Sequence, residues 1–241
     1  MKTREEQAKK FYIEAMRKLG KTEDYINSQI SFIFSIDGGY NERFQKLINF
    51  MKEKSLYSSI LISGSSVGTE LLLARGFGFK KIYGTEINNI LKQVSEIRLT
   101  GFKDIRTVLV KDEFLPFPSE KFPVVMSGHI IEHTKDPERY LCELFRVLKK
   151  NGLLYLEYPD RYNNIELHTN TKSYEYLPTK VRNLVLTILS SQLNFNCETR
   201  KKYKSVRDTL VPISFKDINM WLKKNTINFE LLYSETPYQG V

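Results

Sequence analysis

Apolar residues in the middle of the chain fall into short runs that alternate with stretches of helical spacing. Apolar positions three and four apart predict helices at 70–75, 88–99 and 137–149. The short apolar runs predict buried strands at 57–63, 81–85, 105–110, 122–127 and 153–158. Strands that are apolar almost throughout and alternate with helices are typical of a parallel sheet covered on both faces. The pattern therefore predicts an α/β fold with a Rossmann-like, doubly wound, mostly parallel sheet and helices on both faces.

The residues before this alternation have helical spacing only. Apolar residues predict helices at 4–19 and 41–53, with the Gly38-Gly39 pair between them. We therefore expect residues 1–55 to form an N-terminal helical segment, followed by the α/β core at 56–160.

The alternation stops after the core and then resumes. Residues 161–212 are rich in Tyr, Asn, Thr and Lys, and one apolar helix is predicted near 180–193. We interpret this stretch as an insertion that caps the substrate side of the sheet. A helix at 214–225 and a strand at 227–234 then predict that residues 213–241 complete the core.

Composition places the chain among ordinary globular proteins. The apolar fraction is 41% and the charged fraction 27%, which argues against long disorder. Cys142 and Cys197 are far apart, which excludes a disulfide scaffold or a zinc ribbon and fits a reducing compartment. The N-terminus lacks the apolar segment of a signal peptide, and no apolar run approaches the roughly 20 residues of a membrane helix. We expect a cytoplasmic protein.

The chain is basic, with a formal net charge of +9. A basic surface attracts nucleic acid, nucleotide-linked substrates or anionic lipid. The Lys and Arg residues are nevertheless dispersed, and their densest cluster, at 200–204, is interpreted as a solvated surface with an anion contact as the alternative.

The first candidate site follows the first predicted strand, where parallel sheets bind ligands. Gly64-Ser65-Ser66-Val67-Gly68 opens a helix, so its glycines and free N–H groups allow close approach of a ligand. Glu86 ends the second strand and is placed to accept hydrogen bonds from both hydroxyls of a ribose. These residues alone are compatible with either NAD or S-adenosylmethionine as the ligand.

Three further segments carry a resemblance. They are LPFPSEKF at 115–122, VVMSGHIIEH at 124–133 and FRVLKKNGLL at 145–154. This succession resembles class I S-adenosylmethionine-dependent methyltransferases, over about residues 56–160. The resemblance implies a methyltransferase that uses S-adenosylmethionine and releases S-adenosylhomocysteine, and it argues against a nicotinamide-dependent oxidoreductase.

The same resemblance implies a set of cofactor-binding residues. The glycine loop would line the methionine and ribose, Glu86 would hold the ribose, and the remaining residues would contact the adenine or the methionine side. The full set is Gly64, Ser65, Ser66, Gly68, Glu86, Ile87, Asp112, Ser127 and Gly128.

The chain departs from the family pattern at several positions. Ile62 stands where the family has an acid that helps to bind the methionine ammonium. Ser66 replaces the middle glycine, and Pro123 replaces an Asp of the fourth strand. The chain also ends soon after 234, so the last hairpin of the family looks incomplete. These departures keep a non-catalytic relative as an alternative.

The candidate catalytic residues are histidines and one glutamate. The string from His129 to His133 matches a metalloprotease pattern, but its place at a strand end argues against that interpretation. Some quinone-pathway methyltransferases have a similar cluster that holds a divalent metal. In this chain His129 replaces the first Glu of that cluster, so no metal is predicted. A histidine suits removal of a hydroxyl proton near neutral pH. The candidates are His168 as first choice, then His129 and His133, with Glu132 beside them.

The segment 159–178 suggests the acceptor. It resembles the corresponding segment of methyltransferases that accompany polysaccharide biosynthesis, with a Glu-x-His and a later aromatic-Leu-Pro. We therefore expect O-methylation of a sugar or nucleotide-linked sugar, with aromatic and Asn side chains contacting it: Tyr162, Asn163, Tyr174 and Tyr176. The alternative is a methyltransferase of RNA or of another small molecule. A small-molecule acceptor is the expected partner, without membrane or nucleic acid, and a homo-oligomer is left open.

Overall fold

The computed structural model describes residues 3–35, 40–51, 54–162, 165–166, 171–172, 174, 177–192 and 194–232. The α-helices of these residues are α1 Arg4–Lys18, α2 Glu23–Ile33, α3 Tyr40–Asn49, α4 Thr69–Gly76, α5 Asn89–Leu99, α6 Pro137–Val147, α7 Thr179–Ser191, α8 Cys197–Thr209 and α9 Phe215–Lys224. The strands are β1 Ile60–Ser63, β2 Ile82–Glu86, β3 Ile105–Leu109, β4 Phe122–Gly128, β5 Leu148–Glu157, β6 Ile165–Glu166 and β7 Thr171–Lys172. Short 3-10 helices lie at Lys54–Ser58 and Ile131–His133.

The first five strands form one sheet in the order β3-β2-β1-β4-β5. β1 pairs with β2 and with β4 in parallel, and β2 pairs with β3 in parallel. At the carboxyl end of β1, Ser63 lies opposite Thr85 on one side and Ser127 on the other. The α/β fold with a Rossmann-like parallel sheet is confirmed, and its carboxyl edge brings together the loops that the sequence singled out.

The chain divides into two compact units. The first contains residues 1–128 and 143–156, and two hydrophobic clusters are seen among its described residues. In one, α3 and α4 pack with β1 through Phe44, Leu71 and Ile62. In the other, α1 and α2 pack with α5 around Tyr12, Ile26 and Val94.

The second unit contains residues 129–142 and 157–241. Its cluster joins α7 and α8 through Leu186, Tyr203 and Val206. Arg182 is buried with them, and its guanidinium donates to the carbonyl oxygens of Val206 and Leu210, which satisfies part of a charge that is costly to bury.

Several predicted elements need correction. α2 was not expected, and neither was α8, because most of the α8 residues are charged and few are buried. The predicted strand at 57–63 is a 3-10 helix as far as Ser58. The helix predicted to run to 149 ends at Val147, where β5 already begins at Leu148.

The strand predicted at 227–234 is absent from its described part, 227–232. Apolar spacing alone does not form a strand, since a strand also needs a hydrogen-bonded neighbour. Ile227 instead donates its N–H to the carbonyl oxygen of Leu222 at the end of α9. The division into segments 1–55, 56–160, 161–212 and 213–241 stays a prediction. Within the described ranges, no helix has the length and apolar character needed to cross a membrane.

Candidate functional site

The glycine loop connects β1 to α4 and has an unusual backbone. Gly64, Ser66 and Gly68 all have positive φ angles, of 80°, 46° and 84°. The N–H groups of Gly64 and Ser65 donate to the carbonyl oxygen of Thr85, at 3.0 and 2.8 Å. The end of β2 therefore fixes the loop, which curls back over the carboxyl edge before α4 begins.

Glu86 is the charged group of this edge, and its side chain is buried. Its two carboxylate oxygens accept the N–H of Ser66 at 2.9 Å and the N–H of Asn88 at 2.8 Å. Burial raises the pKa of Glu86, and the backbone N–H groups of Asn88, Ser66 and Ile87 oppose that rise. A carboxylate has about four lone-pair sites, so these backbone N–H groups do not use all of its acceptor capacity. The carboxylate therefore retains capacity to accept a hydroxyl of a ribose.

The other predicted cofactor residues differ in exposure. Ile87 follows Glu86 with its side chain exposed, which suits contact with an apolar face such as adenine. Asp112 is exposed, and its carboxylate accepts the N–H of Phe114 at 2.8 Å. Ser65 and Ser127 are buried, and the Ser65 hydroxyl donates to Thr85, so Ser65 shapes the loop. The ligand contacts assigned to these residues stay predictions.

The departures from the family pattern have structural counterparts. Ile62 is 1% exposed and packs in the cluster of α3 and α4, so the position of the usual acid is apolar core. Pro123 is buried in β4. Ser66 adopts a left-handed backbone that favours glycine.

The LPF and RVL segments contact each other. Arg146 donates to the carbonyl oxygens of Leu115 and Phe117, each at 2.8 Å. Glu143 binds Arg146 and also accepts the N–H of Leu115 at 2.9 Å. These residues therefore hold the loop that leads into β4, a structural role for two segments that the sequence offered only as family signatures.

A histidine–carboxylate cluster follows β4. His129 comes directly after Gly128 and has a positive φ of 54°. Its Nδ1 lies 3.4 Å from a carboxylate oxygen of Glu132, and its Nε2 lies 3.2 Å from one of Glu157. The carboxylates of Glu132 and Glu157 raise the pKa of His129 to about 9, although burial opposes them. The imidazole is therefore mainly protonated at neutral pH.

Sequence reasoning found two members of this cluster and missed Glu157. Its signal was present, since Glu157 is the last residue of β5 and β5 ends at the same edge as β4. Glu132 is 2% exposed, and its backbone carbonyl accepts the N–H of Val211. In the described part of the chain, no group of three or more His, Cys, Asp or Glu has an arrangement that holds a metal ion.

The remaining acceptor-side candidates are scattered. His133 is exposed on the 3-10 helix, and its backbone N–H donates to the carbonyl oxygen of Ile130. Tyr162 is exposed. Tyr174 is buried against Tyr203, so its ring is not exposed for contact with a sugar. The predicted candidates that lie outside the described residues are His168, Asn163 and Tyr176.

Comparison with known proteins identifies the domain. Residues 61–156 match a family described as a methyltransferase domain. The chain contains a class I S-adenosylmethionine-dependent methyltransferase domain. S-Adenosylmethionine is the cofactor of this family, and the free acceptor capacity of Glu86 beside the glycine loop fits it. The family match does not support the resemblance to methyltransferases that accompany polysaccharide biosynthesis.

Individual relatives agree on the fold. An uncharacterized protein of Methanocaldococcus jannaschii is 28% identical over 88 residues, which is 36% of this chain and only 40% of that relative. The phosphoethanolamine N-methyltransferase 2 of Haemonchus contortus, solved with S-adenosylhomocysteine, matches 84% of this chain and 42% of its own at 18% identity and a TM-score of 0.58. An S-adenosylmethionine-dependent methyltransferase of Aquifex aeolicus matches 67% of this chain and 86% of its own at 16% identity and a TM-score of 0.51.

Proposed function

We propose that the protein transfers the methyl group of S-adenosylmethionine to a hydroxyl group of a small acceptor, within the class of sugars and nucleotide-linked sugars. The position of His129 supports a hydroxyl group as the acceptor. His129 lies directly after β4, between Glu132 and Glu157. The sugar class rests on the sequence of 159–178 alone.

The proposed cofactor contacts lie along the carboxyl edge of the sheet. Glu86 accepts a hydrogen bond from the ribose through the acceptor capacity that its backbone hydrogen bonds leave. The exposed side chain of Ile87 lies against the adenine, and Asp112 lies near its amino group. Gly64, Ser65, Ser66 and Gly68 line the ribose and methionine, with Ser127 and Gly128 on the side of β4.

His129 is the proposed proton acceptor of the described residues. When bound, S-adenosylmethionine supplies an electrophilic methyl group, and the acceptor oxygen must lose a proton as it takes that group. Nδ1 of His129 faces the buried carboxylate of Glu132, whereas Nε2 faces Glu157, whose side chain is 33% exposed. The acceptor hydroxyl binds beside Glu157 and gives its proton to neutral His129. His168 and His133 stay predictions for the same role.

An amine acceptor is the second candidate, and the charge of the cluster favours it. Glu132 and Glu157 carry two negative charges, and protonated His129 carries one positive charge. The net negative charge attracts an ammonium group, whereas a neutral sugar gains nothing from it.

A methyl-transfer assay with four acceptor classes tests the proposal. Release of S-adenosylhomocysteine is measured with nucleotide-linked sugars, free sugars, small amines and RNA. We expect turnover with a sugar-containing acceptor and, because neutral His129 is the base, a rate that rises about tenfold per pH unit towards pH 9. His129→Gln removes this dependence, and His133→Gln keeps it.

Each other outcome contradicts part of the proposal. Turnover with amines alone supports the second candidate. Turnover with RNA, lost steeply as salt rises, identifies a nucleic-acid substrate. A folded protein that binds neither S-adenosylmethionine nor S-adenosylhomocysteine is a non-catalytic relative.

A further inference from the structure

A buried ion pair lies between α3 and α4. Arg43 Nη1 is 3.4 Å from a carboxylate oxygen of Glu70, and the two side chains are 15% and 10% exposed. A charge-assisted hydrogen bond is normally about 2.7–2.9 Å long, so this contact is a loose one. Two charges taken out of water at such a distance gain little from each other relative to their desolvation. This contact by itself therefore contributes little to the stability of the fold.

The pair lies at the carboxyl edge of the sheet. A Cβ atom placed on Gly128 would lie 3.4 Å from Arg43 Nη1, so the guanidinium passes directly over the end of β4. Glu70 is in the first turn of α4, which begins at the end of the glycine loop. The guanidinium lies over the ring of Tyr40, with Arg43 Cζ 5.3 Å from the ring centroid.

The same face of the sheet holds Ile62. Phe44 and Leu71, the neighbours of Arg43 and Glu70 in sequence, pack with Ile62 in one cluster. β1 therefore presents no carboxylate to this face at position 62. α4 brings one to it through Glu70, and α3 brings a guanidinium through Arg43.

We propose that Arg43 and Glu70 bind the amino acid end of S-adenosylmethionine, an inference that rests on the proposed function. This end is a zwitterion and requires one cation and one anion at the site. Arg43 binds the α-carboxylate, for which a planar guanidinium is the suited partner. Glu70 binds the α-ammonium in place of an acid at Ile62. Each of the two charges then contacts a group of opposite sign on the ligand.

Calorimetric titration with three ligands tests each contact. S-Adenosylhomocysteine has the whole amino acid end, decarboxylated S-adenosylmethionine has only its ammonium, and 5′-methylthioadenosine has neither group. We expect Glu70→Gln to weaken S-adenosylhomocysteine about tenfold or more and to leave 5′-methylthioadenosine within about twofold. Arg43→Gln has the same effect on S-adenosylhomocysteine but leaves decarboxylated S-adenosylmethionine nearly unchanged.

The controls separate this inference from the proposed function. Glu42→Gln removes an exposed carboxylate next to Arg43 on α3 and should change no affinity. If the wild-type protein binds none of the ligands, the proposed function fails. If it binds S-adenosylhomocysteine and Glu70→Gln binds it equally well, only this inference fails.

A comparison of two ligands on the wild-type protein tests the inference even if the variants do not fold. The wild-type protein must bind S-adenosylhomocysteine at least about tenfold more tightly than 5′-methylthioadenosine, since the second lacks both charges. Equal affinities overturn the inference.

Discussion

The carboxylate of Glu86 accepts the backbone N–H of Ser66 at 2.9 Å, so the last residue of β2 holds the third residue of the glycine loop. Ser66 has a φ of 46°, a left-handed conformation that costs a residue with a side chain about 1–2 kcal/mol. The loop therefore keeps a strained backbone at the point where Glu86 is proposed to bind the ribose. The shape of the loop and the position of the carboxylate depend on each other.

Glu86→Gln should weaken binding of S-adenosylhomocysteine about 10- to 100-fold, because a hydrogen bond to a charged group contributes about 1.5–3 kcal/mol. The amide also turns one acceptor oxygen into a donor, which then faces an N–H group of Ser66 or Asn88. Calorimetric titration measures the change. Glu96→Gln is the matched control, since Glu96 pairs with Lys92 on the surface of α5. A folded Glu86→Gln variant with wild-type affinity would contradict the proposed ribose contact.

Ser66→Gly and Ser65→Gly should change stability in opposite directions. Glycine adopts positive φ readily, so Ser66→Gly is expected to raise the free energy of unfolding by roughly 0.5–1 kcal/mol. Ser65 is buried and donates its hydroxyl to Thr85, so Ser65→Gly loses that bond and gains backbone freedom in the unfolded chain. Urea unfolding of the two variants measures both effects. A loss of stability in Ser66→Gly would show that the positive φ of Ser66 costs less than the backbone freedom that glycine adds to the unfolded chain.

Two glycines offer a similar contrast in packing. A Cβ on Gly84 would lie 2.5 Å from Ser65 Oγ and 2.9 Å from Leu71 Cδ1, whereas a Cβ on Gly76 meets nothing within 4 Å. Gly84→Ala should lower the free energy of unfolding by about 1–3 kcal/mol, as overpacking does. Gly76→Ala, at the end of α4, should leave it equal or raise it by up to about 1 kcal/mol.

The double variant Gly84→Ala with Ser65→Gly refines this prediction. If the clash with the Ser65 side chain dominates, its loss should restore part of the stability, and the two effects will not add. Strict additivity would assign the cost to Leu71. Thermal or urea unfolding of the single and double variants decides between them.

The sequence predicted the sheet well because its central strands β1 and β4 are buried along almost their whole length. A short apolar run such as Ile60–Ser63 is typical of a strand inside a parallel sheet. The alternation of such runs with helices therefore indicated the parallel sheet. The signal failed where tertiary contacts decide the element. α8 has two buried apolar residues, Tyr203 and Val206, and forms against α7 rather than from its own spacing. Residues 227–232 have an apolar pattern but pair with no strand of the residues that the structure describes.

The candidate site shows the same limit. Glu86 was predictable because a strand end and a glycine loop place it locally. Arg43 and Glu70 lie on different helices, and their contact follows from the packing of α3 on α4. Glu157 lies near the end of a predicted strand and could have been singled out for that reason, but its contact with His129 depends on β5 ending beside β4. Pairs that depend on packing between distant segments leave no spacing that a single sequence reveals.

His129 should make the stability of the protein depend on pH. Its pKa is raised to about 9 by Glu132 and Glu157, whereas an unfolded histidine has a pKa of about 6.5. The folded protein therefore binds the proton more tightly than the unfolded chain does. The contribution to stability is fully present below about pH 6.5 and is lost as pH rises through about 9.

Urea unfolding of the wild-type protein and of His129→Gln, at intervals from pH 6 to 10, measures this contribution. The stability difference between them should be largest in favour of the wild type at pH 6 and should shrink steadily towards pH 10. His133→Gln is the control, because it removes an imidazole from the same segment but leaves the contacts of His129 with Glu132 and Glu157 in place. A pH-independent difference for His129→Gln would mean that His129 is not protonated between the two carboxylates, and the proposed rise of the rate towards pH 9 would then lose its basis.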